Sequence, residues 1–119
     1  MRLVATAPGR AGIIGNPTDG YGGCVLSCSL GERARVEIDD DAEALELTIG
    51  EKSVVLAEPR DFRLADDRFD CVRAVLQYLR LTDLKARIAI ATEIPVQGGL
   101  AGSTAILAAL VAASFRLTG

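Results

Sequence analysis

The stretch best equipped for chemistry is Ile94-Pro95-Val96-Gln97-Gly98-Gly99-Leu100-Ala101-Gly102-Ser103-Thr104-Ala105. Gly98, Gly99 and Gly102 put three glycines in five residues. With so little side chain in the way, successive backbone N–H groups can point at an anion. An Ala/Leu-rich helix is expected to follow, over Ser103–Leu117, closed by Gly119. Its first turn adds orphan N–H groups and the positive end of the helix dipole. Such an end favours an anion by about 0.3–1 kcal/mol when exposed and about 2 kcal/mol when partly buried. Ser103 and Thr104 add hydroxyls, directed either to phosphate oxygens or to a Mg²⁺ that bridges phosphates. The competing reading is that Ser103 simply caps a core helix, although a plain cap does not need the glycines.

Several chemistries are excluded. No Lys precedes Ser103-Thr104, so this is not a Walker A loop, and the G-x-G-x-x-G dinucleotide fingerprint is missing. The chain has no histidine, which removes Ser–His and Cys–His nucleophile pairs and every His-based metal site. Cys24, Cys28 and Cys71 follow no metal spacing and read as small buried thiols in a reducing cytosol. Cys24 and Cys28 would share one strand face. Asp39-Asp40-Asp41 are consecutive rather than spaced to converge on a cation, so a solvated turn is expected. A net charge of −3 and 4% aromatic residues argue against nucleic-acid binding. No apolar run is long enough for a signal peptide or a bilayer span, so a cytoplasmic protein is expected, not bound to membrane.

Pro95 to Ala105 resembles the second signature of the GHMP kinases, whose core is Gly-Leu-(Gly/Ser/Ala)-Ser-Ser-Ala. The family includes galactokinase, homoserine kinase and mevalonate kinase. The Gly-Leu-Ala-Gly-Ser-Thr-Ala form found here looks closest to the glucuronokinase branch. Ala7-Pro8-Gly9-Arg10-Ala11-Gly12-Ile13-Ile14-Gly15-Asn16-Pro17-Thr18-Asp19 resembles the N-terminal signature in its galactokinase form, with Asn16-Pro17 in place of Glu-His. The resemblance implies ATP and Mg²⁺ as cofactors and a small sugar or sugar acid as substrate. It implies ATP binding by Pro95, Gly98, Gly99, Leu100, Ala101, Gly102, Ser103, Thr104 and Ala105, with the metal on Ser103 or Thr104. Arg10 would stand by the acceptor hydroxyl as the catalytic cation, and Arg10, Asn16 and Asp19 would bind substrate. A guanidinium suits that task because it stays charged and can fork onto oxygens. Without the resemblance, Arg10 is only a surface charge and Asp19-Gly20 only a turn.

These residues need a scaffold, and 119 residues with 50% hydrophobic content suffice for one domain with its own core. A first strand is expected over Arg2–Ala7, stopped by Pro8-Gly9, followed by a structured Gly-rich loop over Arg10–Gly23. Strands are expected over Cys24–Leu30 and Arg33–Asp39, around Leu45, Leu47 and Ile49, and over Ser53–Ala57. A helix should carry Phe69, Val72, Val75, Leu76 and Leu79 on one face, with Asp66-Asp67 at its positive end. Leu84–Ile94 alternates as a last strand that Pro95 ends. The expected class is α+β, a mixed or antiparallel sheet packed with helices in the manner of a GHMP kinase N-terminal domain.

The family's catalytic Asp base and second domain lie after the stretch this chain spans. The expectation is therefore an N-terminal ATP-binding domain over residues 1–119 of a kinase, inactive alone. A homodimer is compatible with this reading. A non-catalytic nucleotide- or sugar-binding module, and a purely structural domain, remain as alternatives.

Overall fold

The computed structural model describes residues 2–14, 22–63, 65, 69–95 and 102–118. Five strands form one mixed sheet: β1 (Arg2–Ile14), β2 (Leu26–Asp39), β3 (Leu45–Ile49), β4 (Lys52–Leu56) and β5 (Arg87–Thr92). Their spatial order is β1-β2-β5-β3-β4. Only β3 and β5 run parallel; the other neighbours are antiparallel. Two helices, α1 (Asp70–Tyr78) and α2 (Gly102–Thr118), pack on the same face of this sheet. The α+β class expected from the sequence is the one observed.

Alternation places the core. Val36 and Ile38 of β2, Leu45 and Leu47 of β3, and Ile88 and Ile90 of β5 point to the helices and are buried. Val72 and Leu76 of α1 meet them, as do Ala109, Leu110 and Ala113 of α2. The opposite face is polar, with Glu37 paired to Arg2 and, at 3.3 Å, to Arg35. The Arg2 bond holds the Glu37 carboxyl below its usual range. Arg87 and Glu46 make a further pair at 3.4 Å. Exposed pairs of this kind are screened by solvent and contribute little to stability, so they keep the face soluble rather than hold the fold.

Several boundaries differ from the sequence reading. Pro8-Gly9 does not stop the first strand, which runs on to Ile14. β1 lies at the sheet edge, where the missing proline N–H breaks no ladder bond on its open side. The stretches expected as two strands, Cys24–Leu30 and Arg33–Asp39, form the single strand β2, and Cys24 lies outside it. Cys24 and Cys28 therefore do not share a strand face. All three cysteines are exposed rather than buried. Leu84 precedes β5 rather than belonging to it. Asp66-Asp67 lie outside the described residues, and the position before α1 is Phe69. Asp39 closes the expected acidic turn by accepting the Asp41 N–H at 3.0 Å.

Two local devices secure α1. A 3-10 helix over Pro59–Phe62 docks on it: Arg73 donates to the Asp61 carbonyl at 3.1 Å, and Gln77 to that of Phe62 at 2.8 Å. Arg73 is buried and ion-paired to Asp70 at 3.0 Å. At the other end, Arg80 N–H reaches the Gln77 carbonyl at 3.1 Å and Leu81 N–H the Leu76 carbonyl at 2.8 Å. This is the bond pattern of a Schellman cap, but its left-handed position, φ 58°, is held by Arg80 instead of glycine. Replacing Arg80 by glycine removes a Cβ penalty of about 1–2 kcal/mol and adds unfolded-state entropy of about 0.5–1 kcal/mol. Arg80→Gly is expected to raise stability slightly, by up to about 1 kcal/mol, as read by urea denaturation.

Asp61 accepts the N–H groups of Glu58 and Ala57, each at 2.9 Å, and these bonds lower its pKa from the usual 3.8. Both bonds favour the charged carboxylate, so their stabilisation is complete above the unfolded value and lost as pH falls through the lower folded one. Asp61→Ala should therefore be less stable than the parent at pH 7. The gap should narrow as denaturation is repeated through and below pH 3.8.

Candidate active site

The candidate residues lie where β5 ends and α2 begins. β5 is held against β2 as far as the pair Ala34 and Thr92. Beyond it Ile94 turns inward, 3% exposed, and packs with Ala34 and Ala105; Ala7 of β1 and Ile106 complete the cluster. A Cβ at Gly102 would stand 3.5 Å from Ile94 Cγ2, so the first residue of α2 also lies close to this side chain. The chain thus leaves the sheet at Ile94 and returns to it at Gly102 with both ends of the connection touching. The residues 96–101 between them lie outside the described ones.

Ser103 and Thr104 are exposed on the first turn of α2, whereas Ala105 is buried in the cluster. Any ligand contact of Ala105 would therefore come from its backbone, since its methyl is committed to packing. No acidic residue occupies this first turn, so the positive helix end has no carboxylate of its own there. Pro95 is exposed and Gly102 half-buried.

Arg10 is exposed and belongs to β1 rather than to a loop, directly across from Ser29 of β2. Between the pairs Pro8/Arg33 and Arg10/Ser29, the single residue Gly9 faces Leu30, Gly31 and Glu32. This irregularity lets the β1–β2 ribbon continue past the end of β5, and the molecule measures 47 × 30 × 26 Å. Arg10 lies three residues, about 10 Å of strand, beyond Ala7. Ala7 is in the Ile94 cluster, so that small apolar contact links the strand bearing Arg10 to the helix bearing Ser103 and Thr104. Asn16, Asp19, Gly98, Gly99, Leu100 and Ala101 fall outside the described residues.

Three residues that the sequence reading passed over organise this junction. Arg33 donates through Nε to Thr6 Oγ1 at 3.0 Å, and its backbone N–H reaches Glu93 Oε1 at 3.3 Å. Glu93 N–H in turn donates to the Arg33 carbonyl at 3.0 Å. The only hint in the sequence is that Thr92-Glu93, two side chains able to accept from backbone, stand where the strand alternation ends. Among the described residues no group of three Asp, Glu, His or Cys could hold a metal ion. No helix among them is long and apolar enough to cross a membrane.

Residues 69–119 match the family model of the GHMP kinases N terminal domain. Residues 2–39 match the galactokinase galactose-binding signature. The two matches lie at opposite ends of the chain, and its mixed five-stranded sheet with two helices matches the fold of GHMP kinase N-terminal domains. The structure is similar to mevalonate kinase from Methanococcus jannaschii, with a TM-score of 0.83 and 19% identity over 100% of this chain and 41% of that one. It is similar to galactokinase from Lactococcus lactis, solved with galactose, with a TM-score of 0.76 and 19% identity over 92% of this chain and 31% of the other. A D-glycero-D-manno-heptose 1-phosphate kinase from Bacteroides thetaiotaomicron gives a TM-score of 0.74 and 21% identity over 98% and 42%. The chain thus spans about two fifths or less of the length of these proteins. At such identities the likeness is one of fold. No curated protein matches the sequence significantly.

Gly102 has an ordinary, not left-handed, φ, and its added Cβ would make only van der Waals contact with Ile94. Gly102→Ala should thus fold normally and gain up to about 1 kcal/mol of helix propensity. Thermal denaturation checks this; a lower Tm would mean that the helix start is packed more tightly than described.

Proposed function

We propose that this chain is the ATP-binding, N-terminal part of a kinase that phosphorylates a hydroxyl of a small sugar or sugar acid. The observation that carries the reading is the Ile94 cluster, which ties the exposed hydroxyls of Ser103 and Thr104 to the strand bearing Arg10. Galactokinase and the heptose 1-phosphate kinase among the similar structures favour a sugar acceptor. The Gly15-Asn16-Pro17-Thr18-Asp19-Gly20 segment favours a sugar acid within that class through its likeness to glucuronokinase.

In this reading Gly98–Ala101 and the free N–H groups of α2 cradle the phosphates, and Ser103 and Thr104 add hydroxyls. Arg10 holds the acceptor oxygen and steadies the charge on the transferring group, while Asn16 and Asp19 bind the sugar hydroxyls. Hydroxyl oxygens are suitable ligands for Mg²⁺, and an ion arriving on the nucleotide would take the exposed Ser103 or Thr104 as its protein ligand. Once bound, it would neutralise phosphate charge. The acceptor O–H attacks the γ-phosphorus, ADP leaves, and the acceptor proton passes to a base. Catalysis by positioning and charge neutralisation is what phosphoryl transfer demands. Exposed thiols at Cys24, Cys28 and Cys71 accord with a reducing cytoplasm.

The test is a sugar-kinase assay of the full-length gene product. Ser103→Ala with Thr104→Val should lower kcat/KM by roughly 100-fold, the scale of a lost oxyanion donor. Unchanged turnover would remove both residues from the site. Binding of Mg·ATP in calorimetry without turnover on any sugar or sugar acid would instead favour a nucleotide-binding module.

A further inference from the structure

The exit of the chain from β5 is built from side chains rather than from continued sheet. After the pair Ala34 and Thr92, an antiparallel ladder would have Arg33 and Glu93 exchange two backbone bonds. One is present, from Glu93 N–H to the Arg33 carbonyl at 3.0 Å. In the other, the Arg33 N–H is received by the Glu93 carboxylate at 3.3 Å. The next N–H, that of Ile94, is taken by Thr92 Oγ1 at 3.0 Å. Pro95 has no N–H to satisfy. The backbone can therefore turn away from the sheet here without abandoning a donor.

Arg33 extends this joint to a third strand. Its Nε donates to Thr6 Oγ1 at 3.0 Å, and a terminal guanidinium nitrogen stands 3.5 Å from the Thr6 carbonyl. Thr6 lies four residues before Arg10 on β1. On the other side, Glu93 is followed by Ile94, whose side chain seats Ala105 and the start of α2. The series Thr6, Arg33, Glu93 and Ile94 thus connects the strand of Arg10 to the helix turn of Ser103 and Thr104.

We propose that Glu93 is a positioning residue: by accepting the Arg33 N–H it fixes where Ile94 leaves the sheet, and so the placement of Ser103 and Thr104 relative to Arg10. The proposal rests on the kinase reading for its catalytic consequence, but its structural half stands apart. A misplacement of about 1 Å can cost up to 100-fold in rate, so a partial loosening should appear in turnover rather than in affinity.

In the full-length gene product, Glu93→Ala is expected to lower kcat about tenfold while KM for Mg·ATP stays within about twofold. Glu93→Gln should restore kcat, because the amide oxygen can accept the same N–H without the charge. Loss of Tm in Glu93→Ala with kcat intact would overturn the proposal, as would Glu93→Gln failing like Glu93→Ala. Amide hydrogen exchange on the same proteins gives a readout that needs no activity. Faster exchange confined to residues 92–105 in Glu93→Ala is expected, and unchanged exchange there would overturn the positioning role. Absence of turnover in the parent would sink the kinase reading, while the exchange comparison would still decide the role of Glu93.

Discussion

The contact of Ile94 with Ala34 and Ala105 is the constraint on which this end of the molecule depends. A branched side chain following a strand would ordinarily be left over once pairing stops. Here it is 3% exposed, because alanines on β2 and α2 leave room for it and the helix start at Gly102 comes within van der Waals reach of it. The larger core beneath, from Val36 to Leu110, sets the direction of α2 across the sheet. The small cluster sets something different, namely the position along the sheet at which α2 begins. The two buried groups meet at Ala7 and Ile106, which pack against both. The larger group is a matter of buried area, the smaller one of small side chains in the right places.

The sheet has an apolar face under the helices and a charged face with no helix on it among the described residues. The same division explains how Arg10 comes to be available. It sits on the edge strand, beyond the point where β5 stops, in a ribbon of only two strands. A cation placed on β5 would have been flanked by two strands and packed from one side. The edge position costs regularity, visible as Pro8 within β1 and the residues of β2 that face Gly9. Irregular edges of this type also discourage pairing with another sheet.

Much of the fold could be read from patterns of local range. Alternation in Ala34, Val36 and Ile38, in Leu45 and Leu47, and in Ile88 and Ile90 identified both strands and their buried faces, because a pleated strand with one wet face must alternate. The helical spacing of Val72 and Leu76 worked for the same reason. The errors came where long-range pairing overrode local signals. Pro8-Gly9 carries every mark of a strand end, yet β2 is long enough to keep β1 extended through it. Cysteines read as buried from composition alone lie on loop, ribbon and helix surfaces, and no local pattern says which face those will turn to solvent.

For the site, the sequence by itself determined the parts: a glycine-rich connection, hydroxyls opening a helix, and an arginine after a first strand. These are properties of residues close in the chain, and residue type and spacing specify them. Only the tertiary structure decided their arrangement. Ala7, Ala34, Ile94 and Ala105 are scattered over nearly the whole chain and carry no chemical signal individually, since each is simply a small or aliphatic residue. Nor does Glu93 declare itself, because its function depends on an N–H sixty positions away. The physical reason is that such contacts are chosen by the register of β2 against β1 and β5, and register is a property of the assembled sheet.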